Sequence, residues 1–425
     1  GRVADGLDER DELGGGVRID FEDLGGASGF SDFFKTFFRG GAAGFGGAEG
    51  LGDPMAGRLE REAEVLLRLF TEEVREEAFA PGFLAQVPAA QVAAIVAQLK
   101  ANLGEPEGAR PLEPGRYLLE LERGYVPTRI SLDREGRIAG LFFEPPVAKL
   151  GSLEEALEAL RGLSGRVGLW VERDGRPILA LEEDTPLAVA SAFKLLVLAA
   201  LREEVEAGRR AWDEVVRLEE AWKSLPSGLL QGWPEGSPLT LHTLAALMIS
   251  LSDNTATDAL IALLGRERLE ALSPRNRPFL TTREAFGLAA RGNRDLLAAF
   301  RDGDLEAKRQ ALEALRARGL PQVVDLPLDP GDWPAEADWR FTPRELCRWM
   351  GKVADLPLMG INPGVAAFGW DRVAYKGGSR PGVLSLVHGL SRGKSRYCVA
   401  FVWNGEEVDE LKAFTLYGGL LDLLP

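Results

Sequence analysis

The sequence predicts an α+β fold in two structured units, and three observations carry the prediction. Helical periodicity over Leu59–Leu69 and Ala89–Leu103 gives way to strand-like runs at Tyr117–Leu121, Thr128–Leu132 and Arg137–Phe143. Beyond a break at Pro145-Pro146, a hairpin pattern at Arg166–Glu172 and Arg176–Glu182 turns around Asp174-Gly175. A long, mainly helical stretch then runs to about Val353, followed by strands at Val373–Lys376, Val383–His388 and Tyr397–Trp403 and a last helix over Val408–Leu424. The early hairpin and the three late strands are expected to complete one antiparallel sheet, with the helical lobe and the last helix packed on it.

Three short patterns fall at chemically useful points of this outline. Ser191-Ala-Phe-Lys194 opens the apolar helical stretch Ser191–Glu206, and a spacing of three puts the hydroxyl and the amine on one helix face. Serine needs a neighbouring base to become a nucleophile, and a lysine desolvated by Ala-Phe-Lys-Leu-Leu-Val-Leu supplies one. Free N–H groups at the helix start would also favour an oxyanion. Read alone, Ser191 is equally an N-cap. Ser252-Asp253-Asn254 separates two helical runs, where the break turns a hydroxyl and a carboxamide outward or simply caps the second helix. Lys376-Gly377-Gly378-Ser379 lies at the end of a strand before a Gly-Ser-Arg-Pro-Gly turn, so that glycine admits a substrate backbone beside the lysine cation. On its own, that pattern also reads as a glycine-rich hairpin turn carrying a solvated lysine.

The order and contexts of these patterns resemble the S-x-x-K, S-D-N and K-T-G motifs of the serine β-lactamase and penicillin-binding-protein superfamily, over about Leu163 to Pro425. The resemblance implies a β-lactamase/transpeptidase-like catalytic domain that forms an acyl-enzyme. It implies Ser191 as nucleophile, Lys194 as its base, Ser252 as proton relay, Asn254 as substrate ligand and Lys376 as electrostatic clamp, with the N–H groups of Ser191 and Ser379 as oxyanion hole. The implied partner is a small-molecule acyl substrate, an ester, amide or β-lactam, with no cofactor. The alternative on the same fold is a penicillin-recognising binding protein that is acylated slowly or not at all.

Two departures qualify the resemblance. Gly377 stands where the family has Thr or Ser, which removes a substrate-binding hydroxyl, with Ser379 and Gly378 beside it as the remaining contacts. No E-x-x-L-N segment lies between Asn254 and Lys376, and Glu284 is the nearest candidate by position for a deacylating acid/base. Its setting, Thr281-Thr-Arg-Glu284, is also an ordinary capping sequence.

The chain is expected to divide into residues 1–54, a Gly/Phe-rich segment; 55–146, a small α+β unit similar to cystatin-like or NTF2-like domains; 147–162, a linker helix; and 163–425, the hydrolase domain. The domain order, with Phe279-Leu-Thr-Thr-Arg-Glu284 and Tyr375-Lys-Gly-Gly-Ser-Arg-Pro-Gly-Val383, resembles lactamase-like proteins of clavulanic-acid gene clusters. Residues 1–54, centred on Gly-Phe-Ser-Asp-Phe-Phe-Lys-Thr-Phe-Phe, resemble the Gly/Phe-rich linker of DnaJ-type co-chaperones and are expected to be disordered.

Composition bounds the rest. With 425 residues and 45% hydrophobic content, the chain can build sizeable cores, and a formal charge of −15 argues against nucleic acid or anionic membranes as partners. No apolar run approaches the roughly twenty residues of a membrane span. No signal peptide opens the visible chain, which leaves export open if the N-terminus is incomplete. Two cysteines, Cys347 and Cys398, make no disulfide framework and are read as buried thiols. His242 and His388, the only histidines, sit in separate apolar elements and predict neither a metal cluster nor a Ser-His-Asp triad. The oligomeric state is left open.

Overall fold

Two five-stranded antiparallel sheets follow one another in the computed structural model, which describes residues 54–366 and 369–425. Residues 1–53, with the Gly/Phe-rich segment, lie outside the described residues. The first sheet is a meander of β1 (Pro106–Glu113), β2 (Arg116–Leu121), β3 (Gly124–Leu132) and β4 (Ile138–Phe143), with β5 (Val147–Ala148) paired to β3. Helices Pro54–Thr71 and Ala89–Leu103 cover it, and Leu66, Phe70, Leu99, Tyr117, Ile130 and Phe143 belong to its core. Strand β1 escaped the sequence reading because its Pro-Glu-Gly-Ala-Arg-Pro pattern carries two prolines, tolerated here on a sheet edge.

The expected linker helix begins later than residue 147. Val147 and Ala148 belong to the first sheet, and the helix is Leu153–Arg161, capped by Ser152, whose hydroxyl accepts from Glu155 N at 3.1 Å. This joint packs on the last helix, Glu410–Asp422, where a Cβ on Gly419 would come within 2.8 Å of Ala148 O. Glycine costs a helix interior stability, and here it admits the crossing backbone.

The second sheet contains β6 (Arg166–Arg173) and β7 (Arg176–Leu181), the expected hairpin. Short ladders follow in the helical lobe, where β8 (Leu187–Ala188) pairs with β11 (Arg340–Phe341) and β9 (Val215–Arg217) with β10 (Pro238–Thr240). Strands β12 (Arg372–Arg380), β13 (Val383–Arg392) and β14 (Ser395–Asn404) then complete the order β12-β13-β14-β6-β7. Along β14 the side chains alternate. Cys398, Ala400 and Val402 join the core of the lobe, while Val399, Phe401 and Trp403 join the core under Leu153–Arg161 and the last helix. With both faces covered, the sheet fixes which side of β12 meets the lobe.

The cysteine expectation is corrected. Cys347 and Cys398 form a disulfide, with 5.7 Å between their Cα atoms. Helix Pro343–Gly351 lies across the lobe face of β14 and presents Cys347 to Cys398, although 51 residues separate them in sequence.

Candidate active site

The turn that carries Ser191 is held from three sides. After β8 the chain passes through Ala190, whose φ of +45° is a conformation costly for a residue with a Cβ, into a 3-10 turn over Ala190–Phe193 and then helix Lys194–Glu206. The regular helix therefore starts three residues after Ser191. Asp338 Oδ1 accepts from Ala190 N at 3.2 Å, and Ser385 Oγ donates to Val189 O at 2.6 Å. Gly378 of β12 presses on the same turn, because a Cβ there would lie 2.5 Å from Ser191 N and from Val189 O. That contact requires glycine.

Lys194 is wholly buried, and its ammonium donates to Ser252 O at 2.7 Å, Ser252 Oγ at 3.0 Å and Asn254 Oδ1 at 2.7 Å. Ser252 sits between helices Leu241–Ser250 and Asn254–Leu264 with φ +55°, which aims its hydroxyl and carbonyl at the lysine. Capping falls to the middle residue of the motif. Asp253 accepts from Ala256 N at 2.8 Å, and its other oxygen accepts from Leu229 N and Leu230 N. Asn254 Nδ2 donates to Leu225 O at 3.0 Å, so both ends of its carboxamide are engaged. From β12, Lys376 Nζ donates to Ser252 Oγ at 3.1 Å and to Gly377 O. One hydroxyl thus lies between two lysines.

Burial shapes the electrostatics of this cluster. Removal from water holds Lys194 well below its ordinary pKa, and the neighbouring Lys376 cation pushes it further down. Burial alone brings Lys376 down to about 7. Asp258, wholly buried behind the site, is pushed up to about 7 by burial. It still accepts from Thr282 N at 2.6 Å and Arg283 N at 2.9 Å, which ties the Thr281 segment to the helix that begins at Asn254.

A cleft of about 610 Å³ brings Ser191, Ser252, Asn254, Lys376, Gly377, Gly378 and Ser379 together, with Lys194 beneath them. The stretch that precedes β11 also lines the cleft, through Val323, Leu326, Leu328 and Trp333. Glu284 is not brought into the cleft. Its carboxylate is buried against Arg266 Nη2 at 2.6 Å and Arg316 Nη2 at 3.0 Å, and it accepts from Thr281 N at 2.9 Å in a capping box. The hydrogen bonds that make Thr-Thr-Arg-Glu a good helix start turn this carboxylate away from Ser191.

Sequence reasoning missed four residues around the cleft. Asp338 is paired with Arg380 at 2.6 Å, and Arg380 lies 5.1 Å over the Trp333 ring. Tyr375 fills the space beside Gly377, where a Cβ would lie 2.1 Å from its hydroxyl oxygen. Glu410, at the start of the last helix, hydrogen-bonds the Ser379 side chain, and burial raises its pKa to about 8. Its Oε2 has no hydrogen-bond partner among the described residues. Only the motif spacing of Tyr375, directly before Lys376, was a usable signal. His388 lies behind β12, between Tyr375 and Tyr417, and burial lowers it to about 3. Among the described residues no cluster of His, Cys, Asp and Glu could hold a metal, and no helix is long and apolar enough to cross a membrane.

Residues 152–282 match the family described as "Beta-lactamase enzyme family". No curated protein matches the chain. Solved structures similar to it include a β-lactamase from Sphaerobacter thermophilus, 22% identical, covering 64% of this chain and 94% of that one at a TM-score of 0.44. A β-lactamase from Burkholderia phymatum is 20% identical, covering 63% and 95% at 0.42, and PBP-A is 18% identical, covering 64% and 94% at 0.40.

Proposed function

We propose that this chain is an acyl-serine hydrolase with Ser191 as nucleophile and Lys194 as its base. The observation that carries the reading is the buried Lys194 ammonium, one helical turn from Ser191 and bonded to the same Ser252 hydroxyl that Lys376 holds. A lysine whose pKa burial holds well below its ordinary value can take the Ser191 proton, and Ser252 between two amines can relay it to a leaving group. The Ser191 and Ser379 N–H groups would stabilise the tetrahedral oxyanion. Residues 163–425 carry this chemistry, and the first sheet with its covering helices forms a unit of cystatin-like or NTF2-like kind.

A second reading, slow or absent turnover of the acyl-enzyme, is favoured by one observation. Asp338 is the only carboxylate among the described cleft-lining residues, and it is committed to Arg380. No lining carboxylate is therefore free to activate a deacylating water. Mass spectrometry after incubation with a chromogenic cephalosporin bearing a side-chain ester separates the outcomes. Transient mass on the Ser191 peptide with ester-cleaved or ring-opened product supports the hydrolase, persistent mass supports the slow reading, and no mass on Ser191 overturns both.

A further inference from the structure

We infer that the cleft takes neutral, apolar acyl esters and discriminates against substrates carrying a carboxylate beside the reacting carbonyl. The inference rests on the acyl-serine reading above and adds the charge and size of the substrate.

The cations at the cleft are already engaged. Lys376 and Arg380 are the only lysine or arginine among its described lining residues. Lys376 gives two of its three N–H groups to Ser252 and Gly377 O, and the charge of Arg380 is met by Asp338 while the guanidinium also donates to Pro381 O and lies over Trp333. A carboxylate entering here would leave water and have to compete with Asp338 for Arg380 and with Ser252 and Gly377 O for Lys376, which disfavours it against a neutral group.

The place beside the Lys376 strand is also filled by groups that suit a neutral partner. Gly377 supplies no hydroxyl, and the Tyr375 ring occupies the space its side chain would take. Next along the strand, the Ser379 hydroxyl is bonded to the buried carboxyl of Glu410, whose field reaches Tyr375 as well. When Glu410 ionises it repels a second anion at that spot, and when protonated it offers no positive charge. The rest of the lining is largely apolar and includes Phe286, Leu326, Leu328, Trp333 and Phe414. Burial of an alkyl chain against such a lining is favourable, whereas burial of an anion is not.

The chemistry on such a substrate balances without a cofactor. Ser191 Oγ forms a bond to the ester carbonyl carbon and gives its proton to Lys194. The bond from that carbon to the alkoxy oxygen breaks, and the alkoxide leaves with the proton relayed through Ser252. Water then repeats the attack, releases the carboxylic acid and restores Ser191.

The test compares kcat/KM of the full chain for p-nitrophenyl acetate, butyrate and octanoate with that for the p-nitrophenyl ester of hemisuccinate, and with Ser191 acylation by benzylpenicillin. The expected result is a rise of at least about tenfold from acetate to octanoate, and hemisuccinate slower than butyrate by at least about tenfold. Leu328→Arg, an exposed lining position, is expected to narrow the butyrate-to-hemisuccinate ratio at least about threefold. Equal rates on butyrate and hemisuccinate, or benzylpenicillin acylating Ser191 as fast as the octanoate ester, overturn the inference and leave the hydrolase reading intact. Failure of every ester, and of a neutral fluorophosphonate, to label Ser191 overturns both.

Discussion

The two walls of the cleft are built on opposite principles. One is a polar cluster in which Lys194, Ser252, Asn254 and Lys376 satisfy one another at 2.7–3.1 Å, buried and pinned by glycine contacts and two left-handed residues. The other, from Val323, Leu326, Leu328 and Trp333, is apolar, half exposed and carries no motif. On the proposed reading the polar wall would hold a proton-transfer geometry that tolerates little displacement, and the apolar wall would offer area that many side chains could supply. The first would decide what reaction is open to the chain, and the second what reaches it.

The largest expected effect breaks the polar wall. Ser191→Ala abolishes mass gain from every acylating probe, and Lys194→Ala slows acylation by about 10²–10⁴-fold, read by stopped-flow with an activated ester. If Lys194→Ala acylates at the wild-type rate, the base is elsewhere. Next in size is Gly378→Ala. Its Cβ would press on Ser191 N and Val189 O at 2.5 Å, so a loss of about 10²-fold in acylation is expected, together with ~1–3 kcal/mol of stability from overpacking. An unchanged acylation rate in that variant would show that the Ser191 turn is not held against β12.

A third experiment loosens the frame on which both walls stand. The Cys347–Cys398 bridge ties the helix that follows the apolar wall to the sheet that carries Lys376. Replacing both cysteines by alanine is expected to cost about 2–4 kcal/mol for a loop of this length, seen as a lowered Tm. The same Tm with and without reductant would argue against the bridge.

The smallest effect sharpens the boundary between the walls. Burial raises the Glu410 carboxyl from an ordinary 4.5 to about 8. Between those values the folded protein keeps a proton that the unfolded chain has released. The contribution is therefore complete below pH 4.5 and is lost as pH rises through 8. Wild-type stability should fall relative to Glu410→Gln by at most about 4 kcal/mol between pH 5 and pH 8.5, measured by urea denaturation at each pH. Parallel profiles for the two proteins would show that Glu410 titrates normally.

The sheet of the second unit was readable strand by strand, because alternation with a period of two is written into Arg166–Glu172, Val383–His388 and Tyr397–Trp403 before any pairing occurs. The three motifs were readable for the same reason, since each needs only residues within four positions of one another. Strand β1 was not, because its residues have little strand preference and are held by β2 along one side only. The Cys347–Cys398 bond joins elements 51 residues apart, and two cysteines in isolation predict nothing about their distance. At Glu284, position in the sequence offered a deacylating acid/base and the Thr-Thr-Arg-Glu setting offered a cap, and the structure has the carboxylate in the capping box, paired with Arg266 and Arg316.

The residues themselves determined that a hydroxyl and an amine share one helical turn at Ser191 and Lys194, that a polar break exists at Ser252, and that a glycine-flanked lysine ends a strand at Lys376. Tertiary structure alone decided that Ser252 lies between both lysines, that Tyr375 fills the space left by Gly377, and that Glu410 stands behind Ser379. Periodicity and capping are short-range and act along the chain. Desolvation, close approach of backbones and the charge seen by a buried group depend on which distant segments pack together, and that choice is made by the whole core at once.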